Sequence, residues 1–187
     1  FQEWNQWLVK MIPFSLVNIM SHFVMELVLP AAFNTYNAPQ VSLLGPNNDK
    51  YTMKTSWFIV LFSACFGGAD IISRRFGYLI PLAGTSSFYT ALGIGFICSL
   101  VGLYLTTQGI AMLALFSAFL AFFGSGFNYA VTARYIDRDV PRKHNLAAYS
   151  LWMFVGYGGA IAGSMLPGMV RQYICNGSVS QYQCLSH

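Results

Sequence analysis

The fold of this chain is decided by residues 87–135, which read SFYTALGIGFICSLVGLYLTTQGIAMLALFSAFLAFFGSGFNYAVTARY. Two apolar runs, at 87–105 and 110–135, are separated only by the four residues 106–109. A helix rises about 1.5 Å per residue, so about 20 apolar residues cross the hydrocarbon core of a bilayer. Because the connection is so short, the pattern predicts a tight antiparallel hairpin of two membrane-spanning helices.

Three more stretches on either side of this hairpin are apolar and long enough to cross a membrane. The first is expected to end before Pro30, and the second to end on Arg74 and Arg75. Between the helices we expect a polar loop at 34–55 and a charged loop at 134–145, whose residues 137–144 form a solvated linker. The sequence therefore predicts one all-α integral membrane domain over residues 1–187, with five transmembrane helices at 8–29, 56–73, 87–105, 110–135 and 146–170 and an outer polar tail at 171–187.

The composition supports a membrane environment and argues against other classes of protein. Hydrophobic residues make up 56% of the chain and charged residues 9%, whereas a soluble domain has about 25% charged residues. Such a surface must face lipid. The net charge of +4 is scattered over the ends of the apolar segments, which predicts no nucleic-acid binding. No catalytic triad, Walker loop or metal-ligand spacing is visible, so we expect no enzyme activity, no cofactor and no metal.

The basic residues predict the orientation of the helices. One side of the membrane would carry seven of them and the other side three. The excess of positive charge marks the cytoplasmic side, which places the amino end inside and the carboxyl end outside or in a lumen. The sequon Asn176-Gly177-Ser178 falls in the outer tail and predicts a glycoprotein, and Cys175 and Cys184 can form a disulfide there. We expect a multi-pass protein of the plasma membrane, with an organellar membrane as the alternative.

An acidic and a basic residue lie inside the second apolar stretch. Asp70 and Arg74 are four residues apart, on one face of the predicted helix, and Gly67 and Gly68 leave space one turn earlier. A charge at the centre of a membrane helix costs at least about 2.5–3.5 kcal/mol, so such a residue is a functional candidate. Asp70 and Arg74 are therefore predicted to bind a polar solute. The alternative is a structural or gating ion pair at the rim of the membrane.

A second candidate polar site comprises His22, Glu26 and Asn128. His22 and Glu26 are again four residues apart and can relay protons or bind solute, although Glu26 is near enough to Pro30 to reach the outer headgroups. Asn128 ends the small-residue notch 124–126. A still denser set of small residues, at 156–164, predicts close helix packing.

The stretch 66–74, FGGADIISR, resembles the Phe-Asn-x-x-Asp-x-x-(Gly or Ser)-Arg signature in the eighth helix of the equilibrative nucleoside transporters. Leu29-Pro30-Ala31 is similar to the end of that family's seventh helix, and residues 125–127 stand where its tenth helix tends to carry Asn-Gly-Tyr. The basic loop, residues 147–148 and the glycine-rich last helix resemble its eleventh helix. Gly67 and Ser125 each replace an asparagine of these motifs. Residues 67–75 also resemble the Gly-x-x-x-Asp-x-x-Gly-Arg-Arg loop of the major facilitator superfamily.

The resemblance covers nearly the whole chain and implies the carboxyl-terminal half, helices 7 to 11, of a major-facilitator-like helical bundle. It implies transport of nucleosides or nucleobases by alternating access, with Asp70 and Arg74 hydrogen-bonded to the ribose or base. The partner would be an amino-terminal half of six helices that stacks the base. Because the sequence begins with Phe1, we expect a processed chain or a piece of a longer protein. Two alternatives remain: a transporter-derived structural subunit bound to other membrane subunits, and a major facilitator for a sugar or organic anion.

Overall fold

The computed structural model describes residues 2–36, 38–45 and 50–176. Five of its helices are long and apolar enough to cross a membrane, which makes the chain a helical, multi-pass membrane protein. The elements are α1 (Gln2–Thr35), β1 (Gln40–Ser42), β2 (Thr52–Lys54), α2 (Thr55–Leu79), α3 (Thr85–Thr107), α4 (Ala111–Asp139), a 3-10 turn (Arg142–His144), α5 (Asn145–Ser164) and α6 (Pro167–Asn176). The two strands pair antiparallel, with Val41 opposite Met53.

The predicted hairpin of two helices is confirmed as α3 and α4. Gly109 makes the connection with a φ of 68°, a left-handed conformation that glycine adopts without steric cost. Gly102 lets the helices approach closely, because a Cβ on it would lie 2.8 Å from the backbone nitrogen of Ala121. The hydroxyls of Thr106 and Ser117 are hydrogen-bonded across the pair. Small and hydroxyl-bearing residues thus hold these helices together, as is usual in lipid.

A second helix pair is formed by α1 and α5. Gly156, Gly159 and Gly163 face α1, and a Cβ on Gly159 would lie 2.8 Å from the carbonyl carbon of Ile19. Gly158, on the other side of α5, has nothing within 4 Å of that position. The close packing predicted for this glycine-rich stretch is therefore confirmed, and it involves one face of α5.

Two apolar clusters fill the bundle and leave a polar layer between them. We call the end with residues 80–84 and 140–144 the basic end. The opposite end, with residues 38–45, 50–54 and 108–110, is the strand end. One cluster lies toward the basic end around Phe14, Tyr135 and Trp152. The other lies toward the strand end around Val28, Phe62 and Phe122. Buried polar residues between the clusters include Asn18, Ser21, Ser73, Ser99 and Asn128.

The prediction that the first helix ends before Pro30 is wrong. α1 continues to Thr35 with Pro13 and Pro30 inside it, and Tyr36 still donates a backbone hydrogen bond to Ala32. Proline removes one donor, but ending a helix leaves several backbone groups unsatisfied. Prolines are therefore tolerated in helices packed within a membrane bundle.

The prediction that the fifth helix runs to residue 170 is also wrong. α5 ends at Ser164, and a separate helix, α6, begins at Pro167. Proline has no N–H to donate and its φ suits the first position of a helix, so it starts α6 rather than continuing α5. α6 also extends into the predicted polar tail as far as Asn176. The sequon and the pair Cys175–Cys184 lie outside the residues whose side chains are described.

The charged loop predicted at 134–145 is partly helical, because α4 extends to Asp139. The solvent exposure predicted for the linker is confirmed: residues 137–139 and 141–143 are exposed. The guanidinium of Arg138 lies 4.4 Å from the ring centre of Phe88 and pairs with Asp139 at 2.7 Å, and the hydroxyl of Tyr149 donates to Asp137 at 3.2 Å. These surface contacts join residues that sequence spacing does not bring together.

The second helix is longer than predicted, which changes the position of its charges. α2 continues past residue 73 to Leu79. Its last turn is held by Arg134, whose Nη1 donates to the carbonyls of Gly77 at 2.8 Å and Ile80 at 2.6 Å. Asp70 and Arg74 therefore lie within the helix and not at its end.

Candidate functional site

The polar layer opens into a cavity of about 330 Å³ among four helices. α1, α2, α4 and α5 each contribute to its wall, whereas α3 lies behind α4 and contributes nothing. The lining residues are Asn18, His22, Met25, Phe66, Gly67, Asp70, Arg74, Phe122, Ser125, Tyr129 and Met153.

The cavity lies near the middle of the helices that form it. Gly67 is the central residue of α2, and Ser125 is the central residue of α4. Asp70 is three residues beyond Gly67, which is about 4.5 Å along the helix axis. His22 and Met153 are likewise close to the centres of their spans, Trp7–Thr35 and Arg142–Ser164. Substrates of many transporters bind at this depth.

Asp70 and Arg74 form an ion pair on the α2 wall of the cavity. Nε of Arg74 lies 3.0 Å from each of the two carboxylate oxygens of Asp70. The side chain of Asp70 is 31% exposed and that of Arg74 is 45% exposed. The pair can therefore be reached by a solute, which distinguishes it from an ion pair sealed inside a core.

A close contact between α2 and α4 positions the carboxylate. A Cβ on Gly126 would lie 2.7 Å from Oδ1 of Asp70 and 2.9 Å from its backbone oxygen. Only glycine leaves room for Asp70 at this crossing. The hydroxyl of Ser73 lies at the same crossing and donates to the backbone oxygen of Asp70 at 3.0 Å. The position of the carboxylate thus depends on a glycine of another helix.

The guanidinium of Arg74 is held flat while most of its donors stay available. Its central carbon lies 4.4 Å from the ring centre of Tyr129 on α4, a cation–π contact that fixes the plane of the group. Only Nε is used by Asp70. The Nη groups make no hydrogen bond to a residue in the described part of the chain. They are free to donate to a solute in the cavity.

The α1 wall of the cavity contains a histidine that is tied to its own helix. Nδ1 of His22 lies 3.0 Å from the backbone oxygen of Asn18. The amide of Asn18 donates to the backbone oxygen of Trp152 on α5 at 2.8 Å. A Cβ on Gly156 would lie 3.3 Å from Cε1 of His22. The α1–α5 contact therefore orients both the asparagine and the histidine.

Aromatic and thioether side chains form the apolar part of the cavity. The rings of Phe66 on α2 and Phe122 on α4 have their centres 4.9 Å apart. Met25 and Met153 contribute flexible, polarisable groups from α1 and α5. This combination of a polar wall and apolar surfaces is typical of a site for a small organic ligand.

The three residues of the second candidate polar site lie in different surroundings. His22 lines the cavity, and Glu26 does not; the Cβ of Glu26 lies instead beside Gly163 of α5. Asn128 is 3% exposed and also lies outside the lining. Its amide donates to the hydroxyl of Ser21 at 3.2 Å, at the crossing of α4 with α1. The structure thus brings His22 toward Asp70 and Arg74 and separates the other two from them.

Sequence reasoning missed the contribution of α4 to this site. Phe122, Ser125 and Tyr129 follow a spacing of three and four residues and so share one helix face. Asn128 drew attention because it is the most polar residue of that segment, but it is one position away and points elsewhere. The spacing of Phe122, Ser125 and Tyr129 would have indicated the face of α4 that lines the cavity, whereas the amide of Asn128 did not.

The chain therefore presents a polar cavity halfway along four of its membrane-spanning helices, with a carboxylate, a guanidinium and an imidazole on its walls. This arrangement can bind a small polar solute by hydrogen bonds. The likeness of residues 66–74 to the equilibrative nucleoside transporters stays a prediction, because no family model, no curated protein and no solved structure matches the chain.

Proposed function

We propose that the chain belongs to a membrane transporter that moves nucleosides or nucleobases by alternating access. The observation that carries this proposal is the accessible pair of Asp70 and Arg74 on the wall of a cavity at mid-depth. Ionisable residues inside a membrane bundle are costly and mark the paths of solutes and ions. The resemblance of residues 66–74 to a nucleoside-transporter signature supports the same substrate class.

The cavity has the chemistry that a nucleoside requires. The carboxylate of Asp70 accepts hydrogen bonds from ribose hydroxyls or base N–H groups, and the Nη groups of Arg74 donate to ring nitrogens or carbonyl oxygens. The faces of Phe66 and Phe122 offer a surface for a flat base, whose stacking on an aromatic ring contributes about 1–3 kcal/mol. A volume of about 330 Å³ is at the lower end of the range for ligand pockets, which begins near 300 Å³.

Alternating access requires a second set of helices on the open side of this cavity. In many transporters the solute is held between two halves that rock about the site. The proposed partner is the amino-terminal six-helix half of such a transporter, facing α1, α2, α4 and α5. α3 is on the far side of α4 and would face lipid.

The proposal is tested by uptake of labelled adenosine and hypoxanthine in the full-length protein. Hydrogen bonds to charged groups contribute about 1.5–3 kcal/mol, so Asp70→Asn and Arg74→Ala are each expected to lower the apparent affinity about 10–100-fold. Arg75→Ala is the matched control, because Arg75 is exposed and does not line the cavity. Unchanged uptake in both site variants would refute the proposal.

The same variants distinguish the alternative functions. An organic anion would be repelled by Asp70, so Asp70→Asn would improve its transport while Arg74→Ala would abolish it. A neutral nucleoside is expected to lose affinity in both variants. A structural subunit would show no uptake of any solute and would co-purify with other membrane subunits in mild detergent.

A further inference from the structure

The contacts of His22 define which of its ring nitrogens carries hydrogen. Nδ1 lies 3.0 Å from the backbone oxygen of Asn18. A carbonyl oxygen only accepts hydrogen bonds, so Nδ1 must be the donor. In the neutral ring the hydrogen is therefore on Nδ1, and Nε2 has a free lone pair.

Nε2 of His22 is available to a solute. It makes no hydrogen bond to a residue in the described part of the chain. It is also not fully buried, so a solute can reach it. His22 lines the cavity, and the close packing of Gly156 beside Cε1 fixes the side of the ring that faces α5. The lone pair of Nε2 is thus an acceptor that α1 adds to a site whose charged groups come from α2.

We propose that His22 determines which bases the site accepts: its Nε2 accepts a hydrogen bond from a ring N–H, and so favours 6-oxopurines such as hypoxanthine over adenine. This inference rests on the proposed function. Hypoxanthine has a hydrogen on N1, whereas adenine has a lone pair there. Two facing lone pairs leave both groups without a partner in a desolvated site, which discriminates strongly against the wrong ligand.

The charged side chains near His22 come from α1 and α2. Glu26, one turn away on α1, lies beside Gly163 and outside the cavity. Asp70 and Arg74 face His22 from α2 as an ion pair, and Tyr129 faces it from α4. The sequences of α3 and α5 contain no Asp, Glu, Lys, Arg or His.

Inosine and adenosine are suitable probes because they share the ribose and differ in the base at positions 1 and 6. We would measure the apparent affinity for each in the full-length protein in lipid vesicles. Inosine gains a hydrogen bond to Nε2, whereas adenosine leaves that acceptor unpaired, so the expected preference for inosine is about tenfold.

Two variants isolate the role of His22. His22→Leu is expected to transport both nucleosides with equal affinity, whereas Glu26→Gln, on the same helix but outside the cavity, should keep the wild-type ratio. An unchanged ratio in His22→Leu would overturn the inference. If that variant does not fold, 1-methylinosine, which has no hydrogen on N1, tests the inference in the wild-type protein, and an affinity equal to that of inosine would also overturn it.

The outcomes separate this inference from the proposed function. Uptake of neither nucleoside by the wild-type protein would refute the proposed function itself. Uptake of both, with a ratio that does not depend on His22, would refute only the assignment of His22.

Discussion

Replacing Gly159 with alanine is expected to force α1 and α5 apart and to destabilise the bundle. The new Cβ would lie 2.8 Å from the carbonyl carbon of Ile19 and 2.9 Å from its Cα. Carbon atoms in ordinary contact are about 3.5–4.0 Å apart, so the helices must separate by at least about 0.7 Å. Both neighbouring atoms belong to the backbone, and a change of rotamer cannot relieve the clash.

The free energy of this change is best measured against Gly158→Ala. Both variants gain about 1 kcal/mol because alanine favours a helix more than glycine does. A Cβ at Gly158 meets nothing within 4 Å, whereas overpacking at Gly159 costs about 1–3 kcal/mol. The difference between the variants is therefore about 2 kcal/mol, with the helix propensity cancelled.

Thermal unfolding in one detergent, followed by size-exclusion chromatography, measures this difference. For a chain of 150–250 residues 1 kcal/mol shifts Tm by about 2–4 °C, so Gly159→Ala should melt about 4–8 °C below Gly158→Ala. Equal melting temperatures would refute the close approach of α1 and α5. A loss of stability in both variants would instead show that the outer face of α5 is covered.

Two further changes probe the ends and the centre of α2. Gly126→Ala should push Asp70 out of place and weaken solute binding at least about tenfold. Gly68→Ala is the control, because a Cβ there meets nothing within 4 Å, and it should bind solute as the wild type does. Binding is measured by scintillation proximity with labelled adenosine. Arg134→Gln should lower the free energy of unfolding by about 1.5–3 kcal/mol, because two carbonyls at the end of α2 lose a charged donor. Arg142→Gln is the control in thermal unfolding, because Arg142 is an exposed residue at the basic end of the bundle. Faster amide hydrogen exchange at the end of α2 should appear only in Arg134→Gln.

The candidate site could be predicted only in part from the sequence. Asp70 and Arg74 stood out because charges in an apolar run are costly, and their spacing already placed them on one face. The sequence also drew attention to His22, Glu26 and Asn128, each a polar residue in an apolar segment. Polarity alone could not separate His22, which lines the cavity, from Asn128, which is hydrogen-bonded to Ser21 inside the bundle.

Prolines and charges were the least reliable guides to the ends of helices. Pro30 does not end α1, whereas Pro167 begins α6. The same residue type has opposite effects because the outcome depends on whether neighbouring helices already hold the chain in place. α4 likewise continues through Asp137 and Arg138, which contact Tyr149 and Phe88 of other helices.

The sequence by itself determined that the chain is a helical membrane protein with five apolar spans and a hairpin at 87–135. This much is local, because backbone groups in lipid must satisfy one another within a helix and a span needs a minimum length. Only the tertiary structure decided which helix faces meet and which line the cavity. Lipid and protein interior are both apolar, so the faces of a membrane helix look alike in sequence, and the contacts of Gly126 and Gly159 distinguish them.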